Sequence, residues 1–202
     1  MKFERPELRA IVQGQHIAIV GSAASILGTG QGDIIDAHDI VIRINLRFPA
    51  PDEYADVGKK VDFFYAGDVL TGLGIKNGDI YNGVVTFDKN RKFGKRGKKL
   101  WHPLKINSHY NQSPVAYNNT VVNLYPTTGQ MAIYDCLMHG ATAVYLYGFD
   151  CWKTNDRYHP QATNRTDAWH YIETKRMRII IMDPDYNVIP DATLLKIVTD
   201  SE

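Results

Sequence analysis

Residues 16–45 read HIAIVGSAASILGTGQGDIIDAHDIVIRIN, and this stretch decides the fold. The apolar run 16–20 ends at Gly21 and predicts a buried strand that leads into a tight turn. The β-branched run 40–44 predicts a second strand, which ends at Asn45. The connection between the two strands is polar and rich in glycine. This pattern is typical of an α/β domain, whose ligands bind at the carboxyl ends of its strands.

The rest of the chain continues the alternation of strands and helices. Three further strands are predicted at residues 60–65, 83–87 and 143–147. A helical pattern runs through residues 131–138 and ends at Gly140, and residues 167–182 have helical spacing up to a strand-like end. No repeat or linker divides the chain, so we predict one α/β domain over residues 1–202, with a mostly parallel central sheet and helices on both faces.

Composition and charge exclude several classes of protein. The 202 residues are 44% hydrophobic and 22% charged, which is ordinary for a globular protein. A formal net charge of +1 provides no overall field to attract nucleic acid, so no nucleic-acid partner is expected. No apolar run approaches the roughly 18 residues that span a bilayer, and the charged start does not resemble a signal peptide. We therefore expect a cytoplasmic protein, and Cys136 and Cys151 are too few for a disulfide framework.

The glycines after the first strand argue against two common nucleotide sites. They do not form a GxGxxG pattern directly after the strand, and no GK[ST] sequence indicates a P-loop. They suggest instead a backbone that an anionic or ribosyl ligand approaches closely, with Asn45 in the same crevice. The plainer alternative is a series of tight turns.

Four motifs of the sequence match those of a known family in order and spacing. They are residues 17–45 followed by DVGKKVD at 56–62, PTTGQMAIYDCLMHGATAVYLYGFD at 126–150, Tyr158-His159-Pro160, and His170 with Glu173. In that order they resemble the L, S, III and very short sialylmotifs of the eukaryotic-type sialyltransferases, glycosyltransferase family 29. The cysteines that bridge the L and S motifs of the family are replaced here by Ile17 and Ala141, and its asparagine after the first glycine is replaced by Ser22.

This resemblance implies a fold, an activity and a set of ligands. The fold is a Rossmann-like glycosyltransferase fold, a variant of GT-A. The activity is inverting transfer of sialic acid, or a related 2-keto acid sugar, from a CMP-linked donor to a hydroxyl of a glycan or glycolipid acceptor, with no metal or other cofactor. The missing disulfide, stem and membrane anchor suggest a compact bacterial or phage-like member. The alternative to an enzyme is a non-catalytic nucleotide- or glycan-binding module built on the same fold.

The resemblance also assigns roles to individual residues. His170 is implied as the general base and His159 as a catalytic contact to phosphate. An imidazole suits a base because its ordinary pKa near 6.5 lets it accept a proton close to neutral pH. The implied donor-binding residues are Gly21, Ser22, Asn45, Thr127, Thr128, Gly129, Gly148, Phe149 and Tyr158.

Several of these positions have plainer interpretations. Thr127 would also serve as an ordinary helix N-cap. Asp167 and Glu173 lie three residues either side of His170, so one carboxylate would orient the imidazole, or both belong to a solvated helix face. The sequence Asp-Pro-Asp at 183–185 is typical of a turn, with a divalent-cation site as the alternative.

A basic segment, KNRKFGKRGKK at Lys89 to Lys99, holds seven lysines and arginines. One interpretation is a solvated loop. Another is docking on anionic lipid or an acidic glycan, which would bring the protein to the inner face of a membrane, and nucleic-acid contact is a third.

Overall fold

The computed structural model describes residues 6–45, 48–66, 80–81, 84–86, 115–117, 120–122, 127–154 and 167–200. Their helices are α1 (Pro6–Val12), α2 (Gly32–Asp36), α3 (Tyr54–Val57), α4 (Thr128–Met138), α5 (Asp167–Ile181) and α6 (Ala192–Thr199). Their strands are β1 (His16–Val20), β2 (Ile40–Ile44), β3 (Phe63–Ala66), β4 (Ile80–Tyr81), β5 (Val84–Thr86), β6 (Val115–Tyr117), β7 (Thr120–Val122), β8 (Ala143–Tyr147) and β9 (Val188–Pro190). Short 3-10 segments lie at Ala24–Ile26 and Pro51–Glu53.

The predicted parallel sheet is confirmed. Its strands lie in the order β4-β5-β3-β2-β1-β8-β9, and each pairing is parallel except that of β4 with β5. From β1 the chain builds outward through β2, β3 and β5, and it then returns to add β8 and β9 on the other side of β1. The direction of winding therefore reverses between β1 and β8, which is where open α/β sheets usually bind their ligands.

Two apolar layers cover the sheet, one on each face. Alternate residues of β1 point to opposite sides, because side chains alternate along a strand. Ile17 and Ile19 belong to the larger core, together with residues of α1, α4 and α5. Ala18 and Val20 belong to a smaller core with residues of α2 and α3. Helices therefore lie on both faces, as predicted.

Strands β1, β2 and β8 have the predicted bounds, but two other elements differ from prediction. Strand β3 begins at Phe63 instead of residue 60, because Asp62 turns its carboxylate onto the Val41 amide of β2, 2.8 Å away, before the strand starts. The end of α5, predicted to be strand-like, is helical through Ile181. Met177 and Ile180 lie one helical turn apart and are both buried in the larger core, so burial favours the helix there.

A buried arginine holds the segment after β2 in place. Arg43 is only 2% exposed. Its Nη2 donates to the carbonyl oxygens of Val57 at 2.9 Å and Gly58 at 3.0 Å, and its Nε donates to the carbonyl of Lys60 at 3.1 Å. The DVGKKVD motif therefore wraps around the end of one charged side chain.

Two carboxylates also hold this region in place. Asp36, at the end of α2, accepts hydrogen bonds from the amides of Lys59 and Lys60 at 2.9–3.0 Å. Asp56 accepts from the amide of Gly30 at 2.8 Å. The glycine-rich segment after β1 is thus tied to α3, and α2 is tied to the segment after α3, so much of the first motif shapes the fold.

Cys136 and Cys151 are free and buried. Burial raises the pKa of both Cys136 and Cys151 above the ordinary value, so neither forms a thiolate at mildly alkaline pH. We expect both thiols of the native protein to react slowly with a chromogenic disulfide reagent at about pH 8, and both to react promptly after denaturation. A thiol that reacts promptly in the native protein would show that its segment opens to solvent.

Of the helices described, none is long and apolar enough to cross a membrane.

Candidate active site

Two predicted glycines meet where the sheet reverses its winding direction. Gly21 follows β1 and Gly148 follows β8, and the amide of Gly21 donates to the carbonyl of Tyr147 at 2.8 Å. A Cβ added to Gly21 would lie 2.5 Å from the carbonyl oxygen of Gly148, which is too close. Gly148 itself has φ of 66°, a conformation that favours glycine. Both glycines are required by the close approach of two strand ends.

Phe149 lies between the two strands and α4. Its ring would be 3.2 Å from a Cβ at Gly21 and 2.6 Å from a Cβ at Gly129. A side chain at either glycine would therefore push the ring aside. The structure thus brings together four of the predicted site residues, Gly21, Gly129, Gly148 and Phe149, in one packed contact.

The backbone amide of Gly148 bonds to a carboxylate of the protein. It donates to Asp191 at 3.0 Å. Asp191 also caps α6 by accepting from the amide of Leu194 at 2.7 Å. Burial raises the pKa of Asp191, and the backbone donors around it oppose that rise. The amides of Gly21 and Gly148 thus bond within the protein, and the donor-binding role implied for these residues stays a prediction.

Ser22 and Asn45 lie just beyond the carboxyl ends of β1 and β2. These strands are parallel neighbours, with Val20 paired with Arg43, so both residues belong to the same edge of the sheet. Asn45 has φ of 60°, a conformation that asparagine tolerates better than most residues, and its amide donates to the carbonyl of Tyr65 at 3.0 Å. Two polar side chains therefore flank the carboxyl ends of β1 and β2.

The start of α4 is a capping box. The Thr127 hydroxyl accepts from the amide of Gln130, and the side chain of Gln130 accepts from the amide of Thr127 at 3.0 Å. The Gln130 amide group in turn donates to Glu173 of α5 at 2.6 Å, and the Thr127 hydroxyl donates to the same oxygen at 3.4 Å. Thr127 is therefore an N-cap, its implied role in donor binding stays a prediction, and Glu173 braces α5 against the start of α4.

His170 lies half-buried on α5, and a backbone carbonyl orients its ring. Nδ1 is 2.8 Å from the carbonyl oxygen of Cys151. A carbonyl oxygen only accepts, so Nδ1 carries the hydrogen and the lone pair of the neutral ring lies on Nε2. The sequence offered Asp167 or Glu173 as a carboxylate to orient this ring, but the contact at Nδ1 is the backbone carbonyl of Cys151.

The carbonyl that contacts His170 belongs to an unusual turn. Cys151 and Trp152 have φ of 56° and 68°, and the amide of Lys153 donates to the carbonyl of Asp150 at 3.1 Å. Two consecutive positive φ angles closed by this hydrogen bond are the features of a type I′ turn, whose central positions normally hold glycine or asparagine. Left-handed conformations of other residues cost roughly 1–3 kcal/mol each. Such strain often accompanies functional sites.

Other predicted residues lie elsewhere. Tyr158, His159 and the Lys89–Lys99 segment lie outside the described residues, and the predictions made for them stay predictions. The 183–185 sequence forms a turn in which Asp183 accepts from the Asp185 amide at 3.0 Å, and it precedes the amino end of β9, at the edge of the sheet opposite the site. In the part of the chain that the structure describes, no three His, Cys, Asp or Glu side chains form a group that could hold a metal ion.

The chain is similar in sequence or in fold to several known proteins. Residues 11–71 match the model of glycosyltransferase family 29 (sialyltransferase). A search of curated proteins finds no match. A solved mammalian sialyltransferase matches with a TM-score of 0.50 and 19% identity, over 89% of this chain and 70% of that chain. A mammalian sialyltransferase in complex with Gal-β-1-3GalNAc-ortho-nitrophenol matches with a TM-score of 0.49 and 19% identity, over 90% and 71%.

The structural likeness at a TM-score of 0.50 shows a shared fold, a Rossmann-like α/β fold. The match of residues 11–71 then confirms the resemblance predicted for the first motif, and it supports a glycosyltransferase of the family 29, sialyltransferase type.

Proposed function

We propose that the protein transfers sialic acid, or a related 2-keto acid sugar, from a CMP-linked donor to a hydroxyl of a glycan or glycolipid, with inversion at the anomeric carbon. The family match over residues 11–71 supports the donor and the acceptor class. The observation that carries the chemistry is the hydrogen bond between His170 Nδ1 and the Cys151 carbonyl. Because Nδ1 carries the hydrogen, Nε2 has a free lone pair and can act as a base. We place it at the carboxyl edge of the sheet, because Cys151 follows β8.

The reaction follows from this placement. Nε2 of His170 takes the proton of the acceptor hydroxyl while the acceptor oxygen bonds to the anomeric carbon, and the bond from that carbon to the phosphate oxygen breaks. CMP departs as an anion, which needs hydrogen-bond donors and not a general acid. The first-turn amides of Thr128 and Gly129 at the start of α4, and His159, are the donors that we assign to it.

The donor itself lies, in this proposal, along the carboxyl edge. Ser22 and Asn45 hold the cytidine and ribose end beside β1 and β2. Phe149, packed against Gly21 and Gly129, forms the apolar floor between that end and the start of α4. A donor screen tests the assignment: the protein is incubated with CMP-, UDP- and GDP-linked sugars, and nucleotide release is followed by mass spectrometry. Release from CMP-sialic acid alone would support the proposal. Binding of CMP without release of sugar would indicate the non-catalytic module.

A thermal-shift measurement checks the nucleotide separately. We expect CMP to raise the Tm and UDP and NAD to leave it unchanged, because a ligand that binds only the native state stabilises it by mass action. At a CMP concentration about 100 times its Kd the stabilisation is about 2.7 kcal/mol. Equal shifts for all three nucleotides would contradict the assignment.

Chelation checks the proposal that no metal takes part. CMP leaves with a single phosphate, so the donor offers no pyrophosphate for a divalent cation to bridge. We therefore expect sugar transfer to continue undiminished in excess EDTA. Activity that is lost with EDTA and restored by Mn²⁺ would contradict this expectation, and Asp183 and Asp185 would be the first residues to replace.

A further inference from the structure

The turn that contacts His170 is held by a buried carboxylate. Asp150, directly before the turn, is 2% exposed, and its Oδ2 accepts from the amide of Thr154 at 3.0 Å and from the Thr154 hydroxyl. The same hydroxyl oxygen accepts from the amide of Ser25 at 3.1 Å. The carboxylate of Asp150 therefore joins the two ends of the turn at residues 151–153. Thr154 in turn connects the turn to the segment that follows β1.

This arrangement has a consequence for His170. Two left-handed residues that are not glycine persist only where their surroundings hold them, and the bonds of Asp150 and Thr154 are the polar contacts that do so on either side of the turn. With the turn held, the Cys151 carbonyl faces Nδ1 of His170 at 2.8 Å. If the turn relaxed, this acceptor would move away. The ring would then revert to the Nε2–H tautomer that a free neutral imidazole prefers.

We propose that Asp150 and Thr154 are positioning residues that select the Nδ1–H tautomer of His170 through the turn between them. This inference rests on the proposed role of His170 as general base, because only that tautomer leaves Nε2 able to accept the proton of an acceptor hydroxyl. Neither residue touches the substrate in this account. Their effect passes through the carbonyl of Cys151.

The test compares Thr154→Val with Thr154→Ser in the full chain. Valine keeps the shape of threonine but removes the hydroxyl that bonds to Asp150 and Ser25, whereas serine keeps that hydroxyl. Protein labelled with [15N]histidine reports the tautomer of each neutral imidazole by its nitrogen chemical shifts, and the His170 signals are assigned by their loss in His170→Gln. Asp150→Asn changes the acceptor of the same hydrogen bonds and is the second variant. Lys153→Ala is a control at an exposed position in the turn.

We expect Nδ1–H in the wild type, in Thr154→Ser and in Lys153→Ala, and a shift toward Nε2–H in Thr154→Val and Asp150→Asn. For the last two variants, kcat should fall about 10- to 100-fold at an unchanged KM for CMP-sialic acid, by analogy with the loss of residues that orient metal-bound histidines. The proposal is overturned if folded Thr154→Val keeps the Nδ1–H tautomer, or if Thr154→Ser shifts as far as Thr154→Val.

The spectroscopic result separates this proposal from the proposed function. A tautomer shift in Thr154→Val would support the positioning role even if the wild type released no sugar from any CMP-linked donor, a result that would refute only the proposed function. Sugar transfer by the wild type with no tautomer shift in the variant would refute only the positioning role.

Discussion

His170→Gln is expected to fold and to bind CMP like the wild type, and to transfer sugar on the order of 10²–10⁴-fold more slowly. Glutamine keeps much of the size of histidine and can still donate to the Cys151 carbonyl, which lies 2.8 Å from Nδ1. It cannot accept a proton near neutral pH. The loss should therefore appear in kcat, because the interaction removed acts in the transition state.

Two histidines provide comparisons for this variant. His16 is exposed at the first residue of β1, at the opposite edge of the sheet, and His16→Gln should leave kcat unchanged. His159→Gln should lower both the affinity for the donor and the rate of transfer, because a phosphate contact acts in both. If His170→Gln transferred sugar at nearly the wild-type rate and His159→Gln did not, the roles of these two histidines would have to be exchanged.

Arg43→Met is expected to destabilise the protein by about 3 kcal/mol, since three carbonyls lose a charged donor and two of these hydrogen bonds are buried. For a chain of this length the Tm should fall by roughly 6–12 °C. Methionine fills much of the space of the arginine stem, so the loss should report the hydrogen bonds more than a cavity.

Lys59→Met provides the matched control for Arg43→Met. Lys59 is an exposed residue of the same segment, and its replacement should change the free energy of unfolding by no more than about 0.5 kcal/mol. Thermal unfolding followed by circular dichroism measures both variants. If the two had the same Tm, the segment from Val57 to Lys60 would not depend on Arg43 for its position.

The strands next to the site could be predicted because their signals are local. In β1, β2 and β8 an apolar run stops at Gly21, Asn45 or Gly148, so composition alone marks both ends. The same rule misplaced the start of β3 at residue 60. The reason is a bond between the Asp62 side chain and the amide of Val41, a residue of another strand. A contact between residues far apart in the chain leaves no mark in the local pattern.

The sequence named residues that meet in the structure, but it did not predict the contacts between them. Gly21, Gly129, Gly148 and Phe149 do come together, but as one packed contact, which only the distances between strand ends reveal. His170 could be selected by residue type and resemblance. Its partner could not, because the carbonyl of Cys151 is a backbone group and any residue type carries one. The positive φ angles of the turn are equally hidden, since cysteine and tryptophan seldom adopt them.

The placement of β8 beside β1 has a consequence for how the chain is made. His16 pairs with Ala143, so β1 lacks its neighbour on that side until most of the chain has left the ribosome. Until then Ile17 and Ile19 belong to an unpaired apolar edge, and such edges recruit other chains. Pairing over so long a loop is also slow. A nascent chain that stalls before β8 would therefore be a target for chaperones, and a fragment that ends there would aggregate before it could complete the sheet.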